Sequence, residues 1–88
     1  MMYHFIWIPK RRKKILFGKI KERLIELIHK KAKELDCEVV SLEVMPDHVH
    51  LFIQSNPRTS ANHLVGQIKG YTSRILRQEF KELLFLPS

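Results

Sequence analysis

The chain has 88 residues, enough for one two-layer domain with a modest core and too few for a second domain. Apolar residues make up 44% of the chain, which excludes a disordered chain. The net charge of +7 favours a polyanionic partner, most commonly nucleic acid. Cys37, as the only cysteine, excludes an internal disulfide. The chain has neither the basic-then-apolar order of a signal peptide nor a membrane-length apolar run, so we expect a cytoplasmic protein with no membrane partner.

The first segment, Tyr3 to Ile8, predicts a strand because it is rich in aromatic and β-branched residues and ends at Pro9. A run of five cations follows, which we call the basic run: Lys10, Arg11, Arg12, Lys13 and Lys14. Five adjacent like charges repel one another unless an anion lies nearby. We therefore predict that the basic run contacts DNA phosphates rather than forming a solvated turn.

A helix from Gly18 to about Asp36 and a β-hairpin are predicted next. The apolar residues of the helix recur at amphipathic spacing, at Ile20, Leu24, Leu27, Ile28 and Leu35. Glu38 to Met45 alternates well enough to be a second strand, and Pro46-Asp47 supplies a tight turn into a third strand that ends at Gln54.

The third strand carries the most informative residues, His48 and His50. Side chains alternate faces along a strand, so the two imidazoles share one face, with Cα atoms about 6.5 to 7 Å apart. The other face is apolar and should pack against helices; it consists of Val49, Leu51 and Ile53. Two imidazoles so placed can hold one divalent metal, although they can equally be polar residues on a solvated sheet face.

Two imidazoles are too few for tight metal binding, so a third ligand has to come from elsewhere. The nearby candidates are Asp47, Glu43 and Gln54. Asp47 fits better as a turn former, and Glu43 lies on the neighbouring strand, where it can face either way. A shell left incomplete by the protein suits a catalytic metal that also holds a phosphate oxygen.

A second helix is predicted from about Ala61 to Leu84, with Thr59 or Ser60 as its cap. Its apolar stripe is Leu64, Ile68, Tyr71, Ile75, Phe80, Leu83 and Leu84. Gly66 and Gly70 lie four residues apart, and an interior helical glycine costs about 1 kcal/mol relative to alanine. We expect that another backbone packs closely against these glycines and that this contact offsets the cost.

The order β-α-β-β-α predicts an α+β, ferredoxin-like fold, with an antiparallel sheet and two helices on one face. The last strand of that fold would come after Pro87-Ser88. We therefore expect residues 1–88 to be one domain that lacks its final strand. Either a partner chain supplies that strand, or this polypeptide is shorter than its relatives.

The segment Met45-Pro46-Asp47-His48-Val49-His50-Leu51-Phe52-Ile53 resembles the HUH motif, histidine-apolar-histidine, of single-tyrosine transposases of the insertion sequence 200/605 type. The related repeat-associated tyrosine transposases share it. Tyr3-His4-Phe5-Ile6-Trp7, followed by Lys10-Arg11-Arg12, is similar to the family's first strand. Gly66-Gln67-Ile68-Lys69-Gly70-Tyr71-Thr72-Ser73-Arg74 is similar to its second-helix motif, so the resemblance covers nearly the whole chain.

The resemblance implies a homodimer that cleaves and rejoins single-stranded DNA at transposon ends bearing subterminal hairpins. His48 and His50 would hold a divalent metal, Mg or Mn, that polarises the scissile phosphate, while a tyrosine hydroxyl forms a 5′-phosphotyrosine bond. Lys69 and Arg74 flank the stripe of the second helix, where DNA contact and a solvated helix face both remain open.

The resemblance also implies a further helix downstream, which carries the nucleophilic tyrosine together with a Gln or similar residue that completes the metal shell, and the 88 residues end before that helix. The two tyrosines of the chain are Tyr3 and Tyr71. Tyr71 could only be a substitute nucleophile, and its place on the apolar stripe predicts a packing role instead. We expect the chain alone to bind metal weakly without cleaving DNA. The alternatives are a noncatalytic nucleic-acid-binding remnant or regulator, and a hydrolase of small phosphate esters.

Overall fold

The computed structural model describes residues 1–8 and 15–81, and these form three strands and two helices. The elements are β1 (Met2–Trp7), α1 (Gly18–Glu34), β2 (Glu38–Met45), β3 (His48–Gln54) and α2 (Ala61–Glu79). The strands form one antiparallel sheet in the order β1-β3-β2. The predicted α+β fold and β-α-β-β-α order are confirmed. The basic run and the residues after Lys81 lie outside the described residues.

The core lies between the sheet and the two helices, with β3 at its centre. Val49, Leu51 and Ile53 of β3 are each 0% exposed. They belong to one apolar cluster with residues of both helices, namely Leu24, Leu27, Ile28 and Ala32 of α1 and Leu64, Ile68 and Leu76 of α2. Both helices therefore cover the same face of the sheet, and the opposite face of β3 is left open.

The ends of α1 depend on two residues with left-handed backbone. Gly18 opens the helix at a φ of +58°, a conformation that glycine adopts without a Cβ penalty. At the other end Asp36, also at +58°, turns the chain towards β2, and aspartate tolerates this region better than most residues. The amide of Cys37 then donates to the carbonyl of Ala32 at 2.8 Å, which closes the helix.

The second helix is shorter than predicted. The hydroxyl of Ser60 accepts from the amide of His63 at 3.1 Å, which confirms one of the two predicted caps. The helix ends at Glu79, so the prediction of an end at Leu84 is wrong. Phe80 leaves the helical conformation, with φ −117° and ψ 92°, and its ring packs against the core cluster.

The buried face of α2 is rotated relative to the predicted stripe. It follows the spacing i, i+4, i+8, i+12 at Leu64, Ile68, Thr72 and Leu76, while Tyr71 and Ile75 are only half-buried. Thr72 is tolerated there because its hydroxyl donates to the carbonyl of Ile68 at 2.8 Å. Among the described residues, the expected backbone approach at the two helical glycines does not occur. Gly66 and Gly70 lie on the exposed face, where an added Cβ would meet no atom of these residues within 4 Å.

A β-bulge in β2 adjusts which residues face the helices. Val39 aligns with Ile53 and Ser41 aligns with Phe52, so Val40 is an extra residue without a partner. Beyond the bulge Leu42 and Val44 turn towards the core, and Glu43 lies on the open face. The bulge therefore lets Val39 and Leu42, three positions apart, pack on the same side.

A two-pronged ion pair joins the helices at the surface. The Nε and Nη2 atoms of Arg23 in α1 donate to the two carboxylate oxygens of Glu79 in α2, each at 2.8 Å. The hydrogen bond from Arg23 lowers the pKa of Glu79 below its ordinary value. No helix within the described ranges is long and apolar enough to cross a membrane.

From the burial of the core we predict that two similar aliphatic truncations differ strongly in their effect on the free energy of unfolding. Leu51→Ala, at a fully buried position, should lower the free energy of unfolding by about 2–5 kcal/mol. Ile6→Ala, at a position that is 58% exposed on the neighbouring strand, should lower it by less than about 1 kcal/mol. Urea unfolding followed by circular dichroism measures both, and equal losses would contradict the assigned faces.

The ion pair predicts a pH-dependent contribution to stability. Because the folded-state pKa of Glu79 is lowered, the pair stabilises above the unfolded-state pKa, and this stability is lost as pH falls through the folded-state value. Arg23→Gln should raise the pKa of Glu79 towards 4.5, as measured by NMR titration of the carboxyl carbon. Lys33→Gln removes another α1 cation as a control, and an equal rise in both variants would contradict the specific pair.

Candidate metal centre on the open sheet face

His48 and His50 lie side by side on the open face of the sheet. Their ring centroids are 4.9 Å apart and their planes cross at 69°. Both are half-buried, while Val49 between them is fully buried beneath the helices. The alternation of β3 therefore brings the two predicted ligands together, with solvent access to their rings.

The turn residue Asp47 fixes the orientation of His48. Its Oδ1 atom lies 2.7 Å from Nδ1 of His48, within hydrogen-bond distance. With the proton on Nδ1, the imidazole donates to the carboxylate and leaves the Nε2 lone pair free for a metal. The structure thus places Asp47 as a partner of His48 behind the site, rather than as a third ligand in front of it.

Glu43 and Ile6 flank His50 on the two neighbouring strands. Glu43 of β2 aligns with His50 on one side, and Ile6 of β1 aligns with it on the other. Glu43 is exposed, and Ile6 is 58% exposed. The remaining sequence candidate, Gln54, is four residues from His50 along β3, or about 13 Å at the usual rise of a strand.

A third histidine, His4, also lies on this face. Its ring centroid is 5.7 Å from that of His50 and 5.4 Å from that of Phe52. His4 is not among the site residues predicted from the sequence. The signal was available, because Met2, His4 and Ile6 alternate, and antiparallel pairing with β3 sets His4 opposite Phe52.

The donor set fits an open divalent-metal site. Two imidazoles suit several transition metals, and the hydrogen bond from His48 to a carboxylate is typical of metal-bound histidines. No group of three His, Cys, Asp or Glu side chains converges on one point within residues 1–8 and 15–81. The histidine pair therefore leaves most coordination positions free for other oxygen donors, including those of a phosphate.

Neither tyrosine is brought to the histidines. Tyr3 aligns with the buried Ile53 and stacks on Phe5 at 5.8 Å, so it lies on the side of the helices. Tyr71 is on α2, with Nζ of Lys31 5.0 Å from its ring centroid and the guanidinium of Arg74 at 5.9 Å. The sheet separates both rings from the face that carries His48 and His50.

The predicted DNA-binding cations are also on other parts of the molecule. Lys69 and Arg74 are exposed on α2, on the helix layer. The basic run from Lys10 to Lys14 lies outside the described residues. The structure therefore does not bring Lys69 and Arg74 together with the histidine pair, and any DNA contact they make is on a different surface.

Comparisons with known proteins show the family of this chain. The family described as "Transposase IS200 like" matches residues 1–86. ISDra2 transposase TnpA of Deinococcus radiodurans is 33% identical over 81 residues, which are 92% of this chain and 58% of that protein. The transposase for insertion sequence element IS200 of Salmonella typhimurium is 25% identical over 83 residues, which are 94% of this chain and 55% of that protein.

A solved structure extends the similarity to the backbone. A crystal structure described as a transposase from Deinococcus radiodurans R1 has a TM-score of 0.90 and 32% sequence identity, covering 94% of this chain and 64% of that chain. This chain therefore spans between half and two thirds of the length of these relatives. With a family match over nearly every residue and a shared fold, the chain belongs to the IS200-like transposase family.

Proposed function

We propose that this chain is the metal-binding part of a DNA transposase that cleaves and rejoins single-stranded transposon ends. One observation supports this most strongly: in a chain of the transposase family, two histidines share an open sheet face and an aspartate orients one of them. A divalent ion held there, Mg or Mn, would act as a Lewis acid on the scissile phosphate.

Residues around the histidine pair orient its side chains and hold its backbone in place. The hydrogen bond from His48 to Asp47 selects the tautomer with Nε2 unprotonated and keeps the ring from rotating. His50 projects beside it from the same strand, whose buried residues Val49 and Leu51 anchor the backbone in the core. The site is therefore built on a rigid central strand rather than on a loop.

We propose that the nucleophile comes from outside these 88 residues. In the reaction a tyrosine oxygen forms a bond to phosphorus, the bond from phosphorus to the 3′ oxygen breaks, and that oxygen leaves as a hydroxyl after gaining a proton. The phosphotyrosine bond keeps the energy for rejoining. Tyr3 and Tyr71 are both on the helix side of the sheet, which supports an external nucleophile.

The form of the DNA and the assembly belong to the same proposal. The net charge of +7 supports contact with phosphates, whose affinity falls with added salt. Family membership supports hairpin-bearing single strands as the DNA and a homodimer as the working assembly. Lys69, Arg74 and the basic run are the cations that we propose for hairpin contacts.

Removal of one imidazole should greatly weaken metal binding. His48→Ala is expected to reduce Mn²⁺ affinity at least about tenfold, because even the loss of a residue behind a metal ligand costs 10–100-fold. Electron paramagnetic resonance of free Mn²⁺ in a titration measures this. His63→Ala, an exposed histidine on α2, is the matched control. Equal affinity in the two variants would exclude the histidine pair as the site.

Hairpin-bearing single-stranded DNA tests the reaction. We expect Mn²⁺ to tighten DNA binding by the natural chain, measured by fluorescence anisotropy, and we expect chelation or His50→Ala to remove the gain. On a denaturing gel the chain alone should give no covalent DNA adduct. An adduct that survives Tyr71→Phe and Tyr3→Phe but disappears in His48→Ala would contradict an external tyrosine nucleophile.

A noncatalytic nucleic-acid-binding module is the second candidate. The placement of both tyrosines behind the sheet favours it, because the described residues then lack any tyrosine at the histidine face. DNA affinity that is unchanged by chelation and by His50→Ala would support this function over the transposase reaction.

A further inference from the structure

We infer that Phe17 is a stacking platform for an unpaired base of single-stranded DNA, near the end of the sheet that carries His48. The inference rests on the proposed function, because it takes single-stranded DNA as the partner. It adds a contact with a base, whereas the cations proposed for DNA binding contact phosphates.

Phe17 presents its ring to solvent from a hydrogen-bonded backbone. It is the residue before α1 and is 62% exposed, whereas Phe52, the other exposed aromatic residue in the described part of the chain, is 37% exposed. The amide of Phe17 donates to the carbonyl of Ile15 at 3.0 Å, and its carbonyl accepts from the amide of Lys21 at 3.3 Å. A phenyl ring left in water forgoes the free energy that burial provides, so a partner that covers the ring is favoured.

Phe17 lies next to the turn that leads into β3. The amide of its neighbour Leu16, which is 4% exposed, donates to the carbonyl of Pro46 at 3.0 Å. Pro46 precedes Asp47, whose carboxylate orients His48. From this hydrogen bond and standard backbone dimensions, the Cα atoms of Phe17 and His48 are at most about 18 Å apart. A DNA strand at the histidine pair can therefore reach Phe17 within a few nucleotides.

The charges beside Phe17 favour a nucleic acid as the partner. Lys19 and Lys21 are exposed in the first turn of α1, which contains no acidic residue and no side-chain cap. Positive charge at a helix N-terminus is unfavourable, because the free backbone amides and the helix dipole are also positive there. Neither lysine forms an ion pair with any described residue. A phosphate beside the ring offsets this repulsion, which an apolar or cationic partner does not.

An exposed ring among cations fits a single strand better than a duplex. The bases of a duplex stack on one another, whereas those of a single strand expose faces that can stack on an aromatic side chain. Such stacking contributes about 5- to 150-fold in affinity per base. Loss of the ring should therefore weaken binding of a single strand more than binding of a duplex.

Substitutions at Phe17 and Lys19 test the ring and its charge environment separately. Phe17→Ala and Phe17→Leu should each lower the affinity for an unstructured oligo(dT) strand at least about fivefold, measured by fluorescence anisotropy. Phe17→Tyr keeps an aromatic face and should stay within about twofold of the natural chain. Lys19→Gln should reduce the slope of log affinity against log salt by up to about one, and Phe17→Ala should leave that slope unchanged. Val40→Ala, at a position that is 54% exposed on β2, is the matched control and should change nothing.

Photochemical cross-linking locates the base directly. An oligonucleotide that carries 5-iodouracil forms covalent bonds with nearby aromatic side chains on irradiation. After trypsin digestion, we expect the adduct on the peptide of residues 15–19, whose one aromatic residue is Phe17. Adducts found only on other peptides would overturn the assignment.

The outcomes separate the role of Phe17 from the proposed function. If the natural chain binds the strand and all three Phe17 variants bind it equally well, the stacking role is overturned while DNA binding stands. Full affinity in Phe17→Leu, or equal losses for oligo(dT) and a duplex in Phe17→Ala, would also overturn it. A changed sedimentation coefficient of Phe17→Ala without DNA would assign the ring to an interface between copies of the chain instead. If the natural chain binds no single-stranded DNA, the proposed function fails together with the inference.

Discussion

The alternation of side chains along β3 is the constraint on which the rest of the structure depends. Val49, Leu51 and Ile53 are each 0% exposed and form the apolar surface of the sheet against which both helices pack. Because the strand period is two, burying these residues forces His48 and His50 onto the opposite face. A shift of one residue in register would bury both imidazoles and expose the core, so fold stability and site geometry depend on the same pairing.

The same constraint divides the molecule by chemistry. One side of the sheet is filled by helices, and it holds Tyr3, Tyr71 and the α2 cations. The other side carries the histidines among exposed apolar residues, including Ile6, Met45 and Phe52. The described charged residues next to the two imidazoles are the acidic Asp47 and Glu43, which do not attract DNA phosphates. Under the proposed function, the α2 cations that would bind the nucleic acid and the histidines that would activate a phosphate therefore lie on separate surfaces.

Local patterns predicted most of the fold and part of the site. Aromatic and β-branched composition located β1, hydrophobic periodicity located the other four elements, and the alternation of β3 placed its two histidines correctly relative to the core. The errors arose where tertiary packing decides. Phe80 continues the helical pattern but turns away because its ring packs on the core. Likewise Thr72 is buried because its hydroxyl bonds to its own helix. The sequence did not decide which face of the sheet Glu43 lies on. The bulge at Val40 shifts the alternation of side chains along β2, and a bulge has no clear signature in this sequence.

The sparse donor set has a consequence for how such a site would work. Two imidazoles leave several positions of a divalent ion to be filled by other ligands, including water and phosphate oxygens. An ion and a DNA strand that share those positions each raise the affinity of the protein for the other, and thermodynamic linkage makes the two effects equal. Under the proposed function, weak binding of the free ion is therefore an advantage. The complete coordination shell would form only when a phosphodiester lies on the open face of β3, which would confine activation to bound DNA.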